Sequence, residues 1–398
     1  MAMKRIYDFT TVTPRYQMGS NKWDEMKEVN PEVAEDVIPF SVADMEFKTA
    51  PEIVEGLKEE LDTKILGYTN ADDNYKEAVC GWMKKRYGWD ARPEWILPSH
   101  GVVDAFFTAV KAFTNPGEGV ILMTPVYYPM YSAIQRNDRV LEDCPLIRTE
   151  DTYIIDYDKL EELASKENTR LLILCSPHNP CGRVWTSDEL LKLGDICVRN
   201  QVMVVSDEIH ADILMPGHKH RVFADLREDF AEHCIICTSP SKTFNIAGLQ
   251  TTNVFAPNPE IRNAFYQELR KNGSNPKCNA LGYAACRIAY QKGEAWLEEM
   301  LEVIWNNYNL VRDFMNQYLP QVRVYRMEGT YLLWMDWNGL GLDYKELEKK
   351  NRMEAQLFFD EGYVFGKAGE GFVRWNLACP ASCIEKALER IRNVYVKG

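Results

Sequence analysis

The chain has 398 residues, 46% of them hydrophobic, which is enough for two domains around a large core. Its formal charge of -13, from 59 acidic against 46 basic residues, comes with no basic stripe beyond short pieces such as Lys84-Lys85-Arg86, which argues against a nucleic-acid partner. The amino terminus, Met1-Ala2-Met3-Lys4-Arg5-Ile6-Tyr7-Asp8, lacks the apolar stretch of a signal peptide, and no later run approaches a membrane span. A cytoplasmic protein with no membrane partner is therefore expected.

An extended amino-terminal segment covers residues 1–47. Beyond it, the turn Ser99-His100-Gly101 feeds Val102 to Val110, whose apolar spacing is helical. A glycine-containing turn opening a helix offers free backbone N–H groups and the positive end of a dipole, a setting suited to phosphate. Short apolar runs follow at Val120 to Met123, Leu171 to Cys175, Val202 to Val205 and Cys234 to Cys237. Between them lie segments of helical period, such as Asp188 to Arg199 with Leu190, Leu191, Leu193, Ile196 and Val198. Strands with little face alternation, separated by helices, predict a mostly parallel sheet in an α/β protein.

Each run ends in a polar cluster. These are Thr124-Pro125-Val126-Tyr127-Tyr128, Ser176-Pro177-His178-Asn179-Pro180, Ser206-Asp207-Glu208-Ile209-His210 and Ser239-Pro240-Ser241-Lys242. Ligands of open α/β sheets bind outside the carboxyl ends of the strands, so the clusters are expected to converge on one crevice. Lys242 stands out because burial there strips an amine of its proton and leaves a nucleophile suited to Schiff-base chemistry. The residues alone leave blander readings open: Tyr127 as a core aromatic, Asp207 as a helix cap, Asn179 as part of an Asn-Pro turn, Arg374 as a surface arginine.

After Ala289 the pattern changes to a long amphipathic stretch from Trp296 to Tyr318, a strand from Thr330 to Met335, a charged helix over Leu347 to Asp360 and a final helix from Ala381 to Tyr395. The expected division is a large domain over 48–288 and a smaller α+β domain over 289–398, joined by segment 1–47. The eleven cysteines are odd in number and scattered through apolar runs, the pattern of reduced thiols. Cys234 and Cys237, three apart in a strand, point to opposite faces, so no metal site is read there, nor from Cys379 with Cys383. His218 and His220 read as loop histidines.

An aromatic face, an amide, a carboxylate, a lysine and a phosphate cradle together meet the needs of pyridoxal 5'-phosphate. The runs Ser176 to Gly182, Ser206 to His210 and Ser239 to Leu249 resemble those of fold-type I enzymes of the aspartate aminotransferase superfamily. Within it, Ser41-Val42-Ala43-Asp44-Met45-Glu46-Phe47, Asp207-Glu208-Ile209-His210 and Arg374-Trp375-Asn376-Leu377-Ala378-Cys379-Pro380 are similar to the MalY/PatB group of cystathionine β-lyases.

The resemblance implies a seven-stranded-type cofactor-binding sheet and a role for each residue. Lys242 forms the Schiff base with the cofactor and then takes the Cα proton, Asp207 pairs with the pyridine nitrogen, and Asn179 and His210 serve the phenolic oxygen. Tyr127 stacks on the ring. Gly101, Val102, Val103, Ser239 and Ser241 hold the phosphate, together with Tyr68 of the partner subunit in a homodimer. Ala43, Asp44 and Arg374 bind substrate, Arg374 clamping its α-carboxylate. Gln250 stands where many aminotransferases carry a phosphate-binding arginine, a departure from the aspartate aminotransferase branch.

The implied activity is a β-lyase that converts cystathionine or related cysteine S-conjugates to a thiol, pyruvate and ammonia. An aminotransferase uses the same residues, and a non-catalytic, cofactor-binding regulator is a third reading, which joint retention of Lys242, Asp207 and Arg374 disfavours.

Overall fold

The computed structural model describes residues 6–271 and 277–396. Its larger sheet has seven strands: β1 (Ile96–Ser99), β2 (Gly119–Thr124), β3 (Val140–Pro145), β4 (Thr169–Cys175), β5 (Met203–Asp207), β6 (Cys234–Thr238) and β7 (Thr252–Phe255), in the order β1-β7-β6-β5-β4-β2-β3. Strands β3, β2, β4, β5 and β6 pair in parallel, and β7 alone runs against its neighbours β6 and β1. The expected mostly parallel sheet is thus observed.

The apolar runs lack face alternation because both faces of the sheet are covered. Every residue of β2 and of β6 is buried. Successive side chains of β6 enter different apolar layers: Cys234 and Ile236 join Trp82 and Phe230 on one side, while Ile235 and Cys237 join Phe106 and Ala109 on the other. The opposite facing expected of Cys234 and Cys237 follows from this alternation.

Helix α1 (Val102–Phe113) starts at Gly101, whose φ of 154° is one that side chains with a Cβ rarely adopt. Helix α2 (Ser187–Arg199) begins in a capping box, in which the Thr186 hydroxyl accepts the Glu189 N–H and the Glu189 carboxylate accepts the Thr186 N–H. It buries Leu190, Leu193, Ile196 and Cys197 against the sheet layer, and the ring of Phe230 closes over Gly194.

The second sheet has four antiparallel strands, β8 (Arg323–Val324), β9 (Leu332–Asp336), β10 (Asp360–Glu361) and β11 (Phe372–Asn376), in the order β8-β9-β11-β10. Helices α3 (Glu294–Tyr318) and α5 (Ala381–Tyr395) pack on each other behind it. The amino-terminal segment is stitched to this sheet, since Phe40 donates its N–H to Phe358 O at 2.8 Å and accepts the Asn376 N–H at 3.0 Å.

Two elements differ from expectation. The helix read over Leu347 to Asp360 is α4 (Tyr344–Lys349), extended by a π-turn at Lys350–Ala355 and stopped by Gln356, whose φ of 51° is left-handed. Asp360 is thereby released into β10. The strand read from Thr330 starts at Leu332, because Thr330 has a φ of 66°. Among the described residues no helix is long and apolar enough to cross a membrane.

The Phe230 ring leaves no room for a Cβ at Gly194. Gly194→Leu is expected to destabilise the fold by about 1–3 kcal/mol, the usual cost of overpacking, measured as a lower urea midpoint with the slope unchanged.

Candidate active site

Parallel strands carry their carboxyl ends to one edge, and there the chain changes from apolar to polar. Asp207 ends β5, Asn179 follows β4, Ser239 and Lys242 follow β6, and Gly101 opens α1 after β1. Together with Ala43, Val102, Val103, Tyr127, His210 and Ser241 they line one cavity of about 260 Å³. The expected convergence is therefore present in the geometry.

Lys242 lies in the short helix Pro240–Thr243, and its Nζ donates to Ala43 O at 2.6 Å. Burial of the ammonium, with the Arg374 cation nearby, pushes its pKa down to about 8 against the upward pull of Asp44 and Asp207. Asp207 is buried, and its carboxyl is pushed up to about 7 by desolvation, opposed by the Ile209 N–H and by Lys242. That N–H, at 3.2 Å, is the one hydrogen bond the carboxylate accepts among the described residues. An acid so placed lacks a cation.

His210 is buried and its pKa is driven far below the usual imidazole range by desolvation, so the ring is neutral. Its Nδ1 has no partner among the described residues. Tyr127 keeps its phenolic proton, because burial raises its pKa. At the other end of the cavity, Gly101, Val102 and Val103 present the start of the twelve-residue helix α1. Ser239 caps the next short helix, its hydroxyl 3.1 Å from the Ser241 N and 2.7 Å from the Ser241 hydroxyl. Gln250 lies on the same wall.

Arg374 stands one hydrogen bond behind the wall. Its Nη1 donates to Asn179 Oδ1 at 2.9 Å, which leaves the Asn179 amide N–H groups to face the cavity. Its guanidinium lies over the Phe365 ring at 4.7 Å, and Nε and Nη2 reach Asp360 Oδ2 at 3.2 and 2.5 Å. The pairing of Asp360 opposite Arg374 across β10 and β11 sets this contact.

The segment that supplies Ala43 is held from several sides. Asp360 accepts the Val42 N–H at 3.0 Å, Asn376 donates to Val42 O at 2.8 Å and to Asp44 O at 2.7 Å, and Tyr331 donates its hydroxyl proton to Ala43 O at 2.9 Å. Asn245 accepts the Met45 N–H at 2.9 Å and donates to Met45 O and Phe47 O. Val42 itself has a φ of 54°, an unusual state for a β-branched residue. Asp360, Tyr331 and Asn376 have no assigned role in the sequence reading, and no local pattern marks them as partners of residues some 300 positions away.

One expected site residue turns another way, and Tyr68, expected from the partner subunit, stays outside its own chain's cavity. The Asp44 carboxylate turns from the Lys242 cavity and pairs with Lys22 at 2.8 Å and Arg15 at 3.1 Å. Tyr68 does not line the cavity of its own chain, and its side chain is fully exposed.

The donor set fits an aromatic aldehyde carrying a basic ring nitrogen and a phosphate. The amine of Lys242 suits the aldehyde, the unpaired acid of Asp207 suits a ring cation, and the start of α1 suits the phosphate. This places the fold among pyridoxal-phosphate enzymes. The chain belongs to the aminotransferase class I and II family, whose model matches residues 35–391.

It is 42% identical to the cystathionine beta-lyase PatB of Bacillus subtilis (strain 168) over 94% of this chain and 96% of that one. It is 31% identical to the protein MalY of Escherichia coli (strain K12) over 98% of both. Among solved structures, cystalysin from Treponema denticola, which contains a pyridoxal 5'-phosphate cofactor, superposes with a TM-score of 0.96 at 47% identity, covering 98% of this chain and 99% of the other.

Lys242 gives a pH test. Its folded pKa of about 8 lies below the ordinary 10.5, so between these values the unfolded chain binds more protons and stability rises with pH. In the cofactor-free protein, Lys242→Met is expected to remove this gain, read from urea unfolding across that window. The rate at which an aliphatic aldehyde and borohydride label Lys242 is expected to rise with a midpoint near pH 8, and a midpoint above 10 contradicts the assignment.

Proposed function

We propose that this chain is a pyridoxal-phosphate-dependent carbon–sulfur β-lyase that cleaves cystathionine or related cysteine S-conjugates to a thiol, pyruvate and ammonia. The observation that carries it is the Lys242 amine, held at Ala43 O with its pKa lowered to about 8, opposite the buried acid Asp207. Likeness to relatives named as cystathionine beta-lyases supports the choice of reaction.

In this reading Lys242 holds the cofactor covalently, Asp207 its ring nitrogen, Asn179 and His210 its phenolic oxygen, and Tyr127 its ring face. Val102 and Val103 N–H groups, with Ser239 and Ser241, hold its phosphate. When bound, the cofactor supplies a sink for the electron pair left at Cα. Arg374, aimed by Asp360 and Phe365, binds the substrate α-carboxylate through its remaining N–H groups. With the substrate Cα beside it, the Lys242 amine would take the Cα proton and hand a proton to the departing sulfur as the Cβ–S bond breaks. The aminoacrylate left behind takes up water and loses ammonia to give pyruvate.

Purified protein incubated with L-cystathionine is expected to release thiol and pyruvate in equal amounts. Transfer of the amino group to 2-oxoglutarate without thiol release overturns the lyase reading in favour of an aminotransferase, and neither reaction favours a regulator. Arg374→Lys keeps the charge and loses the planar fork, so kcat/KM is expected to fall about 10- to 100-fold, the cost of one charge-assisted hydrogen-bond pair.

The protein is proposed to be cytoplasmic and homodimeric. The dimer reading rests on the exposed run Ile65, Leu66 and Tyr68, at 95%, 61% and 105% relative exposure, which is a large apolar surface for a chain in water. Tyr68 of the partner subunit then completes the phosphate site. Sedimentation is expected to give about twice the 46.0 kDa chain mass, and Tyr68→Phe to loosen cofactor retention without dissociating the dimer. A fully active monomer excludes this arrangement.

A further inference from the structure

A second cavity, of about 270 Å³, lies beside the first. The two meet along a shared wall: Ala247 lines both, and of the consecutive residues Ala43 and Asp44 the first faces the Lys242 cavity and the second its neighbour. A ligand whose Cα lies beside Lys242 Nζ, displacing its contact with Ala43 O, reaches the second cavity past Ala43 and Ala247.

The charge on that wall is unbalanced. Lys22 reaches Asp44 at 2.8 Å and Glu46 at 2.7 Å, and Arg15 reaches the same two acids at 3.1 and 3.4 Å, so the two acids and two bases neutralise one another. Lys22 and Glu46 are buried, and Trp23 Nε1 donates to Glu46 at 3.1 Å, which fixes this quartet in place. Lys48, on the same wall and exposed, enters no ion pair among the described residues. The surplus is one positive charge at the mouth of a polar cavity, and its complement is a carboxylate.

We infer that the second cavity receives the leaving half of the substrate and selects thiols that carry a carboxylate, with Lys48 as the residue that reads it. The inference rests on the lyase reading, which requires a leaving half bound through sulfur. It narrows the substrate class to cysteine thioethers with an anionic group beyond the sulfur. Thioethers ending in an alkyl group fill the same volume and leave the Lys48 charge unanswered.

The test compares S-(2-carboxyethyl)-L-cysteine with S-propyl-L-cysteine, which differ at the distal group alone, as substrates of the holoenzyme. Wild type is expected to favour the carboxylate in kcat/KM. Lys48→Ala is expected to cut that ratio about fivefold, the upper end for a solvent-exposed charge pair, chiefly through KM of the carboxylate substrate. Lys48→Glu is expected to cut it further. Added salt is expected to erode the wild-type ratio and leave that of Lys48→Ala flat, which a merely structural lysine does not produce.

A wild type without the preference, or a ratio that survives both substitutions, overturns this inference while thiol release from both compounds leaves the lyase reading standing. Release from neither overturns the lyase reading, and the inference with it.

Discussion

Removing water from the Nζ of Lys242 is the constraint to which the rest of the site is fitted. A solvated lysine keeps its proton and is neither nucleophile nor base at neutral pH. Burial and the Arg374 cation push the proton off, Asp44 and Asp207 hold it on, and the balance lies at about 8. The same burial raises Asp207 to about 7 and keeps His210 neutral, so the pocket favours the neutral amine at Lys242 and leaves Asp207 an acid that a ring cation beside it would return to the carboxylate form.

Asp360 links this electrostatic arrangement to the fold. One carboxylate oxygen accepts from Arg374 and from the Val42 N–H, so the substrate-facing arginine and the strained segment before Ala43 share an anchor. A β-branched residue in the left-handed region carries roughly 1–3 kcal/mol of strain, which Asp360 and Asn376 offset with hydrogen bonds on either side of Val42. The Ala43 carbonyl, shared by Lys242 and Tyr331, points into the cavity as a result.

What was legible in the sequence is what is local. Asp207, Asn179, Ser239 and Lys242 each lie within a few residues of a strand whose apolar run announces it, and parallel pairing carries all of them to one edge. Strands β1, β3 and β7 were not read, because they are short or, in β3, largely exposed at the sheet edge. Asp360 was hidden inside an apparent helix, and only the left-handed turn at Gln356 frees it. Asp44 lies in a motif that pointed to substrate, yet its partners Lys22 and Arg15 belong to a charge cluster that no spacing rule reveals.

The stitching of segment 42–47 also orders the life of the chain. This segment leaves the ribosome before any of its anchors, which are Lys242, Asn245, Tyr331, Asp360, Asn376 and, through the Glu46 N–H at 2.9 Å, the Ala378 carbonyl. A nascent chain can complete the seven-stranded sheet while residues 42–47 still wait for a strand that ends at Asn376. The wall that Ala43 gives the Lys242 cavity is then set only once the chain through Ala378 is in place.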